Sequence, residues 1–213
     1  MVITRRQVEL ESVFLITATA AISLFFVIQR NNSYRPQFSL ASNTSSLQIQ
    51  TELIAPKVTI SSQITPDGTK KVIMKVTENS DNTKTYEFST ADENGANEQY
   101  IFTKILDLTK SMTIPFNTWS PDNQYFFIQE NAPDNKSVFV FKATGATFAE
   151  GVTFLDATDL FGKAATGNNF QEATGWASES LIIINTLKPD NTKGPSYWFE
   201  VPSKAIIQLS TEF

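Results

Sequence analysis

One arrangement recurs three times along this chain of 213 residues. From Ile64 the sequence reads ITPDGTKKVIMKVTENSDNTKTYEF, from Trp119 WSPDNQYFFIQENAPDNKSVFVF, and from Trp176 WASESLIIINTLKPDNTKGPSYWFEV. Each segment gives a turn, an apolar strand, a polar turn containing Asp-Asn, and an aromatic strand. The first-turn aspartates Asp67 and Asp122 lie 55 residues apart; the second-turn aspartates Asp81, Asp134 and Asp190 follow at intervals of 53 and 56. Such a period constrains the fold more than composition does. Each unit is one supersecondary element, which must bury its apolar surface against a neighbour.

The turn chemistry is local. Proline pre-sets φ at the first corner of a tight turn, and Gly or Asn tolerates positive φ at the last. Pro66-Asp67-Gly68, Pro121-Asp122-Asn123, Pro133-Asp134-Asn135 and Pro189-Asp190-Asn191 fit that pattern, and each Asp carboxylate is placed to accept backbone N–H bonds. Strands are expected over Val72–Val76, Tyr125–Ile128, Val138–Phe141, Leu181–Ile184 and Tyr197–Val201. Several of these are too apolar for a half-exposed sheet, so both faces are expected to be covered. Further strands fit Tyr100–Leu106, Val152–Leu155 and Ala205–Leu209. With a short strand before each first turn, the unit becomes a four-stranded antiparallel meander.

Trp-Ser-Pro-Asp-Asn at 119–123, followed by an apolar strand, resembles the repeat of TolB-type β-propellers, which centres on Trp-Ser-Pro-Asp-Gly. The resemblance covers residues from about 52 to 213. It is best in the second unit; the first has Gln63-Ile64-Thr65 at the Trp-Ser lead, and the third has Ala177-Ser178-Glu179-Ser180. It implies an all-β, β-propeller-like domain over 47–213 with about three blades, at about 52–116, 117–174 and 175–213. Propellers usually close with about four to eight blades. Three leave an open arc with exposed faces and edges. Self-association, a partner supplying further blades, or a different closed fold would each resolve this; the expectation is dimerisation or a truncated open arc.

The N-terminal part reads differently. Val13–Ile28, VFLITATAAISLFFVI, carries no charge, and with Ser12 and Gln29 the uncharged stretch is 18 residues. A helix of that length spans about 27 Å, just enough for a ~30 Å hydrocarbon core. The division is a tail over 1–12, a transmembrane helix over 13–29 and a polar linker over 30–46. A cleaved signal peptide is the alternative, with a small-x-small pattern at Ser39-Leu40-Ala41 far beyond the apolar run; a buried core helix is another. Arg5 and Arg6 precede the helix, and Arg30 and Arg35 follow it, so the positive-inside rule does not orient it. The short tail favours a cytoplasmic N-terminus, hence a single-pass protein of the cell membrane with its C-terminal domain extracytoplasmic.

Residues 36–213 carry 13 Lys against 20 Asp plus Glu, and Lys70-Lys71 is the only basic cluster, which disfavours nucleic acid. Cys and His are both absent. Disulfides, Cys/His zinc sites, Ser-His-Asp triads and thiolate chemistry are thereby excluded.

Other candidates read as structural. Trp119 and Trp176, at equivalent repeat positions, suit packing between units better than ligand stacking, and Trp198 suits the core. Asp67, Asp122, Asp134 and Asp190 offer one carboxylate per turn, too few for a calcium loop. Asp156-Ala-Thr-Asp159 suits the cap of a short helical turn ending near Gly162 better than a glycosidase-like pair. Gly145–Gly175 reads as a long insertion loop, where binding would be sought first; its Gly-Lys pair lacks the order of a phosphate loop. Glycosylation-type matches at Asn31, Asn43 and Asn135 are common in so polar a composition.

No catalytic, cofactor or metal residue is therefore assigned. The expected function is a membrane-anchored, non-enzymatic protein-interaction module, with the membrane and a protein partner or a second copy as its contacts. A pilin-like or secretion-apparatus subunit and the remnant of a propeller-containing hydrolase are the alternatives.

Overall fold

The computed structural model describes residues 56–164 and 166–210. All of them belong to one unit of the chain, Leu53–Phe213. The expected anchor over 13–29, the linker over 30–46 and the matches at Asn31 and Asn43 lie outside the described residues. Among the described residues no helix is long and apolar enough to cross a membrane.

Among the described residues twelve strands form three separate four-stranded antiparallel sheets, each a meander of consecutive strands. The first sheet holds β1 (Val58–Ile64), β2 (Lys70–Glu78), β3 (Thr83–Asp92) and β4 (Gln99–Asp107). The second holds β5 (Ser111–Thr113), β6 (Tyr125–Asn131), β7 (Lys136–Lys142) and β8 (Leu155–Asp156). The third holds β9 (Asn169–Trp176), β10 (Leu181–Leu187), β11 (Tyr197–Glu200) and β12 (Ala205–Gln208). The opening strands β5 and β9 thus begin ahead of residues 117 and 175, where the sequence divides the units.

Two cores join the sheets in series. Val72, Tyr86 and Phe88 of the first sheet pack with Trp119, Phe126, Ile128 and Phe141 of the second. On its other side the second sheet presents Phe127, Val138, Val140 and Leu155 to Ile182, Ile184, Tyr197 and Phe199 of the third. The second sheet is therefore covered on both faces, and Phe126–Ile128 and Val138–Phe141 are buried without alternation. Among the described residues only one face of each outer sheet has a neighbour, and Leu181–Leu187 alternates between half-buried and buried. Among the described residues the expectation of two covered faces holds for the middle sheet and is not met at Leu181–Ile184. Its apolar sequence suits a sandwiched strand, but whether a face is covered depends on what packs there.

The turns follow their local chemistry. Gly68, Asn82, Asn123 and Asn191 all take positive φ, between 58° and 75°. Asn135 does not, and the Asp134 carboxylate accepts no bond among the described residues; this hairpin is instead closed by Ala132 N–H donating to the Asn135 carbonyl. Asn135 lies exposed at that turn.

Gly145–Gly175 is not an insertion loop. It contains β8, most of β9 and a short helix, α1 (Ala157–Lys163). Asp156 is the helix N-cap, its carboxylate accepting the Asp159 N–H at 2.9 Å, and Asp159 pairs with Lys163 at 2.6 Å. That ion pair raises the Lys163 pKa. Both acids of the close pair are thus engaged in shaping α1.

Candidate functional site

The site is assembled from positions that repeat. In the first turn, Thr65 Oγ1 donates to Asp67 Oδ1 at 2.7 Å, and the Lys70 N–H donates to Thr65 Oγ1 at 3.0 Å. Fifty-five residues on, Ser120 and Asp122 repeat this at 2.6 Å, and Tyr125 N–H reaches Ser120 Oγ at 2.9 Å. Backbone bonds close the same five-residue interval, Thr65 to Lys70 and Ser120 to Tyr125. The third unit closes an interval one residue shorter, from Ala177 to Leu181 at 2.7 Å, consistent with its lost proline and aspartate.

The tryptophans that lead these turns join one sheet to the preceding one. Trp119 donates its indole N–H to the Gln63 carbonyl at 3.0 Å. Trp176 donates to the Thr118 carbonyl at 2.9 Å. Thr118 stands one residue before Trp119, as Gln63 stands before Ile64, so both bonds link equivalent points of adjacent sheets. Trp119 is buried, with its ring tilted against Phe126 at 5.2 Å, while Trp176 stacks on Tyr125 at 6.3 Å. Both residues fill the inter-unit role expected of them. Trp198 does not fill the core role expected: it is half-buried, on the face of the third sheet that points away from the second.

Around these bonds the ends of β1, the segment before Trp119 and the end of β9 enclose an open groove of about 640 Å³. Pro66 and Pro121 from the two turns, Trp119, Trp176, Ile64 and Ile183 form its apolar walls. Phe116 stands at its edge with 82% of its surface exposed. Asn117 spans it, donating to the Thr174 carbonyl at 3.2 Å. Among the described residues no charged side chain lines the groove. A ligand there would be held by apolar contact and shape, with selection against charge.

The acidic turns are separate from this groove in chemistry. In Asp67, Asp81, Asp107 and Asp190 one carboxylate oxygen accepts both the backbone N–H and the hydroxyl of the threonine two residues later. The Thr69 N–H, then the Thr65 and Thr69 hydroxyls, hold the Asp67 pKa down to about 2. The threonine bonds lower those of Asp81, Asp107 and Asp190 in the same sense. Asp107 was not among the turn aspartates expected from sequence; its signal is the shared Asp-x-Thr spacing. Asn123 adds a tie between turns, donating to Asp67 Oδ2 at 2.6 Å. Among the described residues no group of three or more acidic side chains gathers to hold a metal ion.

Among the described residues Glu130 is the one buried acid, 8% exposed on β6. It pairs with Lys104 of the first sheet and lies 3.8 Å from Lys110. The Lys104 ammonium also sits 4.7 Å from the Phe139 ring centroid. This cluster ties the first two sheets and does not open on the groove.

No protein-family model matches the chain, and no curated protein matches it.

Proposed function

We propose that the chain is a membrane-anchored, non-enzymatic interaction module whose β-repeat domain, of TolB-type propeller character, is displayed outside the cytoplasm. The groove between the repeat units would take an extended, uncharged, apolar segment of a protein partner. The observation that carries this is the groove's lining: two indoles, two prolines and an 82% exposed phenylalanine, with no charge. Exposing so large an aromatic costs solvation free energy unless something covers it. Three sheets of the same topology in series, with the Trp-Ser-Pro-Asp-Asn lead at 119–123, support the propeller-like part of the reading. The uncharged run Val13–Ile28 supports the anchor.

The test is a titration of the full chain in detergent with extended peptides, apolar and uncharged against acidic and basic, followed by tryptophan fluorescence. Apolar peptides are expected to bind, and Phe116→Ala to weaken them by about tenfold or more, as for an interface anchor. Charged peptides binding equally well, or no effect of Phe116→Ala, would refute the groove as the site.

A further inference from the structure

We propose that the outer faces of the first and third sheets are two halves of one interface, and that a second copy of this chain completes it. This does not rest on the groove reading.

One ladder of side chains occurs twice. In the second sheet Phe127, Val140 and Leu155 are cross-strand partners, and all are buried against the third sheet. The equivalent ladder of the third sheet is Ile183, Trp198 and Ile207, in the same register. The third sheet therefore repeats, rung for rung, the apolar surface by which the second sheet covers its successor. Among the described residues nothing covers it: Ile207 is 44% exposed, and Ile183 and Trp198 are half-buried.

The first sheet offers the other half. Its outer face corresponds to the face that the second sheet turns toward the first, with Ile64 at the position of Trp119. Val58, Ile60 and Ile64 alternate along β1 on that face at 46%, 66% and 46% exposure. Continuity with the two internal interfaces then sets the pairing: the third sheet of one copy against the first sheet of the other. Charge agrees. Lys71 on the first-sheet face and Glu200 on the third-sheet face are of opposite sign, and neither has an ion-pair partner among the described residues. The contact is heterologous, and made twice it closes on a two-fold axis. Two copies of three sheets give six, within the range of about four to eight at which such sheets close into rings.

The experiment is light scattering on the full chain in detergent, with the micelle mass subtracted, for the wild type, Ile60→Glu, Ile207→Glu and an equimolar mixture of the two variants. The wild type is expected to be a dimer. Each variant is expected to raise the dissociation constant by at least about a hundredfold. The mixture is expected to regain dimers, because it retains one intact first-sheet face and one intact third-sheet face. Circular dichroism confirms retained β structure; a glutamate variant that loses it is replaced by serine at the same position. A wild type that stays monomeric up to about 100 µM overturns the proposal. So does a dimer that survives either substitution, including one disrupted by Ile207→Glu alone, which would mean third-sheet faces pairing with each other. A mixture that stays monomeric overturns it as well.

Discussion

Trp176 donates its indole N–H to the carbonyl of Thr118, a residue whose own hydroxyl donates to Phe127 and whose carbonyl also receives the Phe127 N–H at 3.0 Å. The buried Thr118 thus closes the lead into β6 and anchors the following sheet. The same geometry between Trp119 and Gln63 makes the relation a rule of the repeat.

That rule makes the indole nitrogen separable from the indole bulk. Trp119→Phe keeps most of the apolar volume and removes the donor, leaving the Gln63 carbonyl short of a partner. The expected cost is about 1–2 kcal/mol. Trp119→Ala also opens a cavity and is expected to cost about 3–5 kcal/mol. Urea unfolding of the three proteins checks the order.

The Glu130 cluster separates buried from exposed ion pairs. Glu130→Ala strands Lys104 beside the Phe139 ring and removes its charge-assisted bond, with an expected loss of about 2 kcal/mol. Lys75–Glu87, at 3.5 Å with both side chains nearly half exposed, is the control. Lys75→Ala is expected to change stability by less than about 0.5 kcal/mol. Equal losses by chemical denaturation would remove the special role of Glu130.

Acid should weaken the domain through its turns. The pKa of Asp67 lies near 2 in the folded protein, below its ordinary 3.8, and those of Asp81, Asp107 and Asp190 are also lowered. A depressed carboxylate pKa means the unfolded chain binds protons first as pH falls. These groups therefore stabilise the fold fully above about pH 4, the unfolded carboxylate range, and lose that contribution as pH falls toward the folded values. The urea midpoint is expected to drop between pH 5 and pH 2, and less steeply in Asp67→Asn. A flat midpoint over that range would contradict the role of these bonds.

Gly194 is expected to resist substitution for reasons of space. A Cβ there would meet Thr186 Oγ1 at 2.5 Å and the Thr186 carbonyl at 3.2 Å. Thr186 is itself fixed by donating to the Pro195 carbonyl at 2.6 Å, so it cannot yield freely. Gly194→Ala should cost about 1–3 kcal/mol. Gly151→Ala, with positive φ but open space, isolates the backbone part of the effect in thermal unfolding.

Most turns and strands were legible because their causes are local. Pro-Asp-Gly/Asn sets its own φ angles, and β-branched and aromatic runs such as Val138–Phe141 prefer strands wherever they pack. Pro133-Asp134-Asn135 shows the limit: the same residue types close their hairpin without a left-handed Asn. β9, NFQEATGW, was foreseen only as a short strand before the third unit's turn, without bounds, because its register shifts twice against β10, breaking the alternation that marks a strand. Burial was less legible still. LIII at 181–184 reads as a strand covered on both faces, yet its partner on one face is not in the described structure. The Trp positions were legible as packing residues, but not the carbonyls that receive their N–H groups, since those lie 56 and 58 residues away. Nor did the groove show in sequence, because Phe116, Pro66 and Ile183 come from three different sheets or their leads.

Successive sheets are joined by repeated indole-to-carbonyl bonds, and indole hydrogen exchange reads them most directly. In a ¹⁵N-labelled full chain, followed by NMR in deuterated detergent buffer, the Trp119 and Trp176 indole protons are expected to exchange at least about a hundredfold more slowly than a free indole. Trp176→Phe should remove one of these slow signals and leave that of Trp119. Fast exchange at Trp119 and Trp176 in a folded chain would contradict these bonds.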